Sequence, residues 1–395
     1  MTILDEVTQL TCDLVAIESV NPDLVNHGGG ERAIASFVAS WLRDQRLIVE
    51  TIEPVPGRPS VVGILRGKGG GRSLMLNAHM DTVGAGGMPD AFKPLVEAGR
   101  IHGRGALDMK GSLAAIMVAA KHARALDLAG DVIVTAVADE EVASIGTSSV
   151  LKRFRADAAI VTEPTELRLC TAHKGFVWLE AEVSGVAAHG SRADIGVDAI
   201  ARIGPVLTGL MQLDETLRSG PRHPLLGTGS IHASLIEGGQ ELSTYPARCI
   251  CKIERRTIPG EDGASALREF EEIVEHARRD VPTLDASIRV TLARDPSEVG
   301  ADSDIAVAVA ESASDVLGAR SDVVGVAYWM DMALTNAAGI PTVAFGPSGQ
   351  GEHADVEWVD AASLESCVRT YLATAARVCG RVYPDTAASE LTMRS

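Results

Sequence analysis

The sequence predicts an α/β fold, a mixed sheet covered by helices, with a smaller α+β domain inserted into it. Three observations carry this. Short apolar strands alternate with helices as far as Thr162, the pattern of a sheet buried on both faces. From Phe176 the strands become alternating and half-exposed, with two helices among them. From Asp304 the first pattern resumes. The expected outer domain is therefore discontinuous, residues 1–175 and 293–395, and the insert covers residues 176–292.

Each element has its own signal. Ile3 to Ile17 repeats apolar residues at helical spacing, and Asn21-Pro22 ends that helix. Gly28-Gly29-Gly30 turns the chain into a second amphipathic helix, Glu31 to Gln45. Strands are expected at Ser60–Arg66 and Ser73–Ala78, joined by Gly67–Gly71 as a hairpin turn. Gly111 to Leu126, rich in Ala, Ile, Met and Val, reads as a buried helix. Asp131–Ala138 and Ala158–Thr162 are apolar strands. In the insert the order is strand Val177–Val183, helix Asp198–Asp214, strands Gly229–Ile236 and Ala247–Arg255, helix Asp262–Arg279 and strand Ala286–Leu292. Together they suit a ferredoxin-like α+β unit. A helix Ile305–Leu317, a strand Thr342–Phe345 and a last helix Ala362–Val378 complete the outer domain.

Composition narrows the function. The chain has 395 residues, which suits two domains, and 46% of them are hydrophobic, enough for buried cores. A formal net charge of −17 argues against nucleic acid, whose binding needs a basic footprint. No apolar run reaches the roughly 18 residues that span a bilayer, so no membrane partner is expected. Met1-Thr2-Ile3-Leu4-Asp5-Glu6 lacks the basic and apolar regions of a signal peptide, and a cytoplasmic location is expected. The six cysteines form no CxxC pairs and no disulfide framework; Cys249 and Cys251 should share a strand face without bridging.

Five motifs stand at the ends of apolar segments: His79-Met80-Asp81, Gly103-Arg104-Gly105-Ala106-Leu107-Asp108, Asp139-Glu140-Glu141, Thr162-Glu163-Pro164-Thr165 and Glu352-His353-Ala354-Asp355. Alone, each has a plain reading: a surface His with a capping Asp, a helix cap at Asp108, a solvated acidic triplet. Together they put histidines and carboxylates where ligands of open α/β sheets gather, at the carboxyl ends of strands. Crowded carboxylates repel one another unless cations neutralise them, which points to a two-metal hydrolase. His79 is then a ligand, with Asp81 orienting it or a carboxylate by hydrogen bonding. Asp108 has two oxygens to bridge a metal pair. Within the acidic triplet one carboxylate can bind metal while its neighbour acts as a general base. The glycine-rich run Gly346-Pro347-Ser348-Gly349-Gln350-Gly351 could offer N–H groups to a substrate carboxylate or an oxyanion. It is not a phosphate loop, since no Gly-Lys-Ser/Thr comes after it.

This ordered set closely resembles the M20 metallopeptidases, which include acetylornithine deacetylase, succinyl-diaminopimelate desuccinylase, aminoacylase-1 and the carboxypeptidase G type. The resemblance covers nearly the whole chain. It implies a catalytic domain with two Zn2+ (Co2+ or Mn2+ as alternatives) and an inserted lid that also makes a homodimer. By motif it implies that Asp108 bridges the metals, that His79 and Glu163 complete one position, and that Glu141 and His353 complete the other. Glu140 matches the general base that deprotonates the bridging water, and Asp81 the residue supporting His79. It further implies a cis peptide at Asp108–Met109. His189, in Val183-Ser-Gly-Val-Ala-Ala-His189-Gly-Ser191, matches a histidine that polarises the scissile carbonyl, commonly from the neighbouring subunit. Arg256 matches an arginine that binds the substrate carboxylate, with Gly346, Ser348 and Gly349 as further substrate contacts. Arg255, on the other strand face, should be solvated. Ser243 stands where relatives often carry Asn, and Trp329 and Met330 where they carry small residues, which would reshape the pocket toward an apolar acyl group. The implied reaction is hydrolysis of an N-acyl amino acid by a metal-bound hydroxide, with a dipeptidase or carboxypeptidase as the alternative.

Overall fold

Six successive buried residues make Leu74–His79 the centre of the larger sheet. Both faces are covered: Leu74, Leu76 and Ala78 belong to one apolar core, Met75 to a second on the opposite side. Val132–Val137 divides the same way, Val132, Val134 and Ala136 against Ile133 and Val137. Two-faced burial explains why these strands read as apolar runs rather than as alternations. In this computed structural model, which describes residues 1–380, the sheet runs Ile48–Ile52, Ser60–Leu65, Val132–Val137, Leu74–His79, Ala158–Val161, Thr342–Ala344, Leu169–His173. Neighbours from Val132–Val137 to Thr342–Ala344 are parallel, and Ile48–Ile52, Ser60–Leu65 and Leu169–His173 are antiparallel to their partners, giving the mixed α/β sheet expected.

Helices Ile3–Val15, Gly111–Ala123, Asp304–Leu317 and Ala361–Cys379 share the larger core. Gly111–Ala123 is buried on nearly every side, as its lack of a polar stripe foretells. Gly67–Gly71 corrects the sequence reading. It is not a hairpin turn, because Ser60–Leu65 and Leu74–His79 flank Val132–Val137 on opposite sides instead of pairing with each other. Short elements escaped the reading: Leu95–Glu97, Arg100–His102 and the helix Ile145–Arg153. The first two join Gly349–Gln350 and Trp358–Asp360 in a small antiparallel sheet.

The chain separates into two compact units. One holds Met1–Thr171, Val299–Val324 and residues 330–380; the other holds Ala172–Glu298 with Gly325–Trp329. The sequence reading set the insert at 176–292. In the second unit, strands Gly175–Ser184, Ser230–Gly238, Arg248–Thr257 and Asp285–Arg294 make an antiparallel sheet. Their spatial order is second, third, first, fourth, the ferredoxin-like arrangement. Helices Gly204–Ser219 and Gly263–Asp280 supply Val206, Leu210, Phe270 and Val274 to its core. The expected single helix Asp198–Asp214 is two, Ala199–Arg202 and Gly204–Ser219, broken where Pro205 starts the second. Arg255 is a further correction: it is 1% exposed and pairs with Glu261 and Glu269. The face opposite Arg256 is the helix-covered one, so alternation carries Arg255 into the core rather than to water. Cys249 and Cys251 are both buried and unbridged. Among the described residues no helix is long and apolar enough to cross a membrane.

Candidate metal centre

Sheet register assembles the centre. Residue 79 lies opposite Val137 in the parallel pair, so the segment after Val137 emerges beside His79. On the other side Asn77 lies opposite Val161, and continuing that register by two residues sets Glu163 against His79. Four adjacent parallel strands therefore discharge at one edge His79, the Asp139–Glu141 turn, Glu163 and the Gly346 loop. Glycine fits there without displacement, whereas a Cβ at 346 would stand 2.1 Å from the Glu163 carbonyl oxygen and force the backbone to shift.

Two groups of donor atoms result, each within 4.8 Å: His79, Asp108 and Glu163, and Asp108, Glu141 and His353. Asp108 belongs to both. Its Oδ1 is 3.0 Å from His79 Nε2 and its Oδ2 3.3 Å from His353 Nε2. The peptide following Asp108 is cis, as the resemblance implied. Glu163 Oε1 is 3.7 Å from His79 Nε2, and Glu141 Oε2 is 3.2 Å from His353 Nε2.

The ionisation of these groups fits a cation between them. His79 Nδ1 lies 2.9 Å from the Asp81 carbonyl, which can only accept, so Nδ1 carries the proton. The Nε2 lone pair of neutral His79 then points at two carboxylates, an arrangement that needs a cation or a proton. Burial opposes charge on His79, but Asp108 and Glu163 hold its pKa well above the ordinary value. His353 is pushed up to about 10 by hydrogen bonds to Asp108 and Glu141. Burial raises Glu163 well above the usual carboxylate range, with the charges of Asp108 and Glu141 adding to it and His79 opposing. Glu141 Oε1 is buried with no partner. An N/O set of two imidazoles and three carboxylates, one of them facing both ways, fits two divalent ions.

Through its carboxylate Asp81 acts on the acidic turn rather than on His79. Its carboxylate is 3.7 Å from His79 Nδ1, whose hydrogen bond goes to the Asp81 carbonyl. The carboxylate oxygens accept instead from the backbone N–H groups of Glu140 and Glu141, at 3.1 and 3.2 Å. Asn21 donates to the same carboxylate and to Asp139. Arg58 completes the layer: it forks onto Glu31 and reaches Asp139 Oδ1 at 2.8 Å and Asp23 at 2.6 Å. Asp139 takes φ 67°, a conformation Asp tolerates better than most residues. Asn21, Glu31 and Arg58 are buried and were missed, since nothing in their local sequence signals a partner far along the chain. Asp331 was missed as well. Buried, it accepts from Thr147 and its pKa is pushed up to about 6 by burial, which Thr147 opposes.

Other expected site residues fall elsewhere. The N–H groups of Gly346 and Ser348 are committed to Thr165 Oγ1 and Ser363 Oγ, and Gly349 pairs with Val359. The loop is held by side-chain acceptors from Thr165 and Ser363, outside it, so the expectation that it offers N–H groups to substrate is corrected for Gly346 and Ser348. Met330 is fully buried, while Trp329 is half-buried in the second unit, edge-on to His173 and Phe176. Also in that unit, His189 is exposed and its Nδ1 accepts from the Ser191 N–H at 3.2 Å. Neutral His189 therefore carries its proton on Nε2 as an outward donor. Arg256 pairs with Glu254 at 2.7 Å and lies over the Phe176 ring. Ser243 accepts the Gly190 N–H through its carbonyl.

Known proteins share this architecture. Acetylornithine deacetylase of Myxococcus xanthus is 29% identical over 93% of this chain and 96% of that protein. N-formyl-4-amino-5-aminomethyl-2-methylpyrimidine deformylase of Bacillus subtilis is 29% identical over 68% of this chain and 67% of its own. The YXEP protein of Bacillus subtilis, described as a dinuclear metal-binding peptidase, superposes with a TM-score of 0.72 at 16% identity, over 96% of this chain and 99% of that one. The sequence model of peptidase family M20/M25/M40 matches residues 75–377, and with the donor groups gathered at the sheet edge this shows that the chain belongs to that family of metal-dependent hydrolases.

Proposed function

We propose that the chain hydrolyses the amide bond of an N-acyl amino acid at a pair of divalent ions, zinc in the first instance. The observation that carries this reading is Asp108, whose two carboxylate oxygens each face one histidine and so link two donor groups. His79 and Glu163 would hold one ion with Asp108, and Glu141 and His353 would hold the other with it. Such a pair, when bound, polarises an amide carbonyl and makes a water acidic enough to ionise near neutral pH. Glu140 would serve as the general base, holding the proton of the attacking water and passing it to the leaving amine. Asp81 keeps Glu140 and Glu141 in place through their backbone N–H groups. The outward Nε2–H of His189 supports the carbonyl oxygen, and Arg256 takes the carboxylate of the amino acid.

Acyl removal is favoured over peptide cleavage because the two sequence relatives named above are a deacetylase and a deformylase. A homodimer through the inserted unit is part of the reading. It is supported by the edge strand Ser230–Gly238, which leaves Leu235 and Ile236 exposed. The test is amine release, read with ninhydrin, from a panel of N-acetyl, N-succinyl and longer N-acyl amino acids on zinc-loaded protein, with unblocked dipeptides followed by chromatography. Amine from acylated substrates with dipeptides untouched is the expected result. Dipeptide cleavage with acylated compounds inert would move the protein to the peptidase branch.

A further inference from the structure

Asp108 and His353 are far apart in the chain, and their loops are joined by a buried clamp. Glu357 is 2% exposed and accepts four hydrogen bonds. Its Oε1 takes the N–H groups of Leu107 and Asp108 at 2.9 and 3.1 Å. Its Oε2 takes the Gly105 N–H at 2.9 Å and Arg104 Nη1 at 2.8 Å. Arg104, 1% exposed, then donates Nη2 to the carbonyl of Ala354, next to His353, at 2.7 Å and Nε to Gly84 at 3.0 Å. The small sheet sets this up: Arg100–His102, which leads to the Asp108 loop, pairs with Trp358–Asp360, which closes the His353 loop.

We infer that Arg104 and Glu357 are positioning residues that build the Asp108–Glu141–His353 position before any metal arrives, and that Arg104 acts on that position alone. The inference rests on the metal reading above. Glu357 takes the Leu107 and Asp108 N–H groups on Oε1, the oxygen Arg104 does not touch, and Arg104 pairs with Oε2, a charge that a lysine can also supply. Arg104 adds the link to the loop of His353, which serves only one of the two donor groups. A lysine at 104 keeps the charge toward Glu357 but cannot span Glu357, Ala354 and Gly84 together, because it lacks the planar fork. Loss of a group that orients a metal ligand typically weakens metal binding about 10–100-fold.

The experiment is calorimetric titration of metal-free protein with Co2+, for wild type, Arg104→Lys, Glu357→Gln and His353→Ala. Wild type should take two ions. Arg104→Lys should weaken one of them about 10–100-fold and change the other less than about threefold. Glu357→Gln, which disturbs the shared ligand Asp108, should weaken both. In a His353→Ala background, which retains one position, Arg104→Lys should leave the remaining affinity unchanged. Equal weakening of both ions by Arg104→Lys, or of neither, overturns the inference while leaving the metal reading intact. A wild type that takes up no pair of ions overturns both. Hydrogen exchange on wild type needs no variant. Amides 105, 107 and 108 should be protected in the metal-free protein, and exchange at open-loop rates until Co2+ is added would overturn the prebuilt clamp.

Discussion

The side-chain amide of Asn21 donates to Asp81 at 2.8 Å, and through Asp81 it reaches the two backbone N–H groups that carry Glu140 and Glu141. The same nitrogen lies 3.0 Å from Asp139 Oδ1, so one buried donor separates two carboxylates. Asn21→Ala should leave those carboxylates facing each other, at a cost of about 1–3 kcal/mol in stability. It should also weaken binding at the Glu141 position about 10-fold or more. Denaturant unfolding and Co2+ titration check both effects; unchanged metal affinity would reduce Asn21 to a structural residue.

Glu140 belongs to neither donor group. Glu140→Gln should therefore retain two ions per chain while kcat falls about 10²–10⁴-fold. Metal analysis beside single-turnover kinetics decides this, and wild-type turnover in the variant would remove Glu140 from the base role.

His189 is exposed, so His189→Ala should change stability by less than about 0.5 kcal/mol. If its Nε2–H meets the carbonyl oxygen, kcat should drop about 10²–10³-fold with metal content unaltered. An unchanged kcat would assign it a surface role.

His173 offers a pH signature that involves none of the candidate metal ligands. It is fully buried, its Nδ1 bonds the Lys174 carbonyl and its Nε2 has no partner. Burial pushes its pKa down to about 4. The folded value lies below the unfolded one, so this contribution to stability is complete above about pH 6.5 and is lost as pH falls toward 4. By pH 5 the loss should be about 2 kcal/mol. Urea unfolding of wild type and His173→Gln at pH 7.5 and pH 5 should show the difference between them shrinking at the lower pH; a pH-independent difference would contradict it.

Gly346 holds the loop against the strand end bearing Glu163. Gly346→Ala should cost about 1–3 kcal/mol by overpacking and weaken the ion held by Glu163, because the added methyl meets that residue's own carbonyl. Differential scanning with and without Zn2+ tests it: the stabilisation by metal should be smaller than in wild type.

Much of this was legible in the chain itself. Runs such as Leu74–His79 and Val132–Val137 announce strands buried on both faces, and each delivers a ligand or a turn of carboxylates at its carboxyl end. The alternation in Gly175–Ser184 likewise announces a sheet with one covered face. That reasoning failed for Arg255, since alternation reports that two faces differ but not which one a helix will cover.

The sequence by itself determined which side chains can hold metal and at which strand ends they stand, because strand burial and motif spacing are local properties. The resemblance implied how those side chains divide into two groups that share Asp108, and the tertiary structure supplied the distances that bring each group together. It alone revealed the charges beneath them, Arg58 with Glu31 and Asp139, and Arg104 with Glu357 across 253 residues. The physical reason is that a buried charge is tolerated only when a partner meets it. The partner is chosen by sheet register and loop packing rather than by neighbours in the chain, so composition and periodicity carry no trace of the pairing.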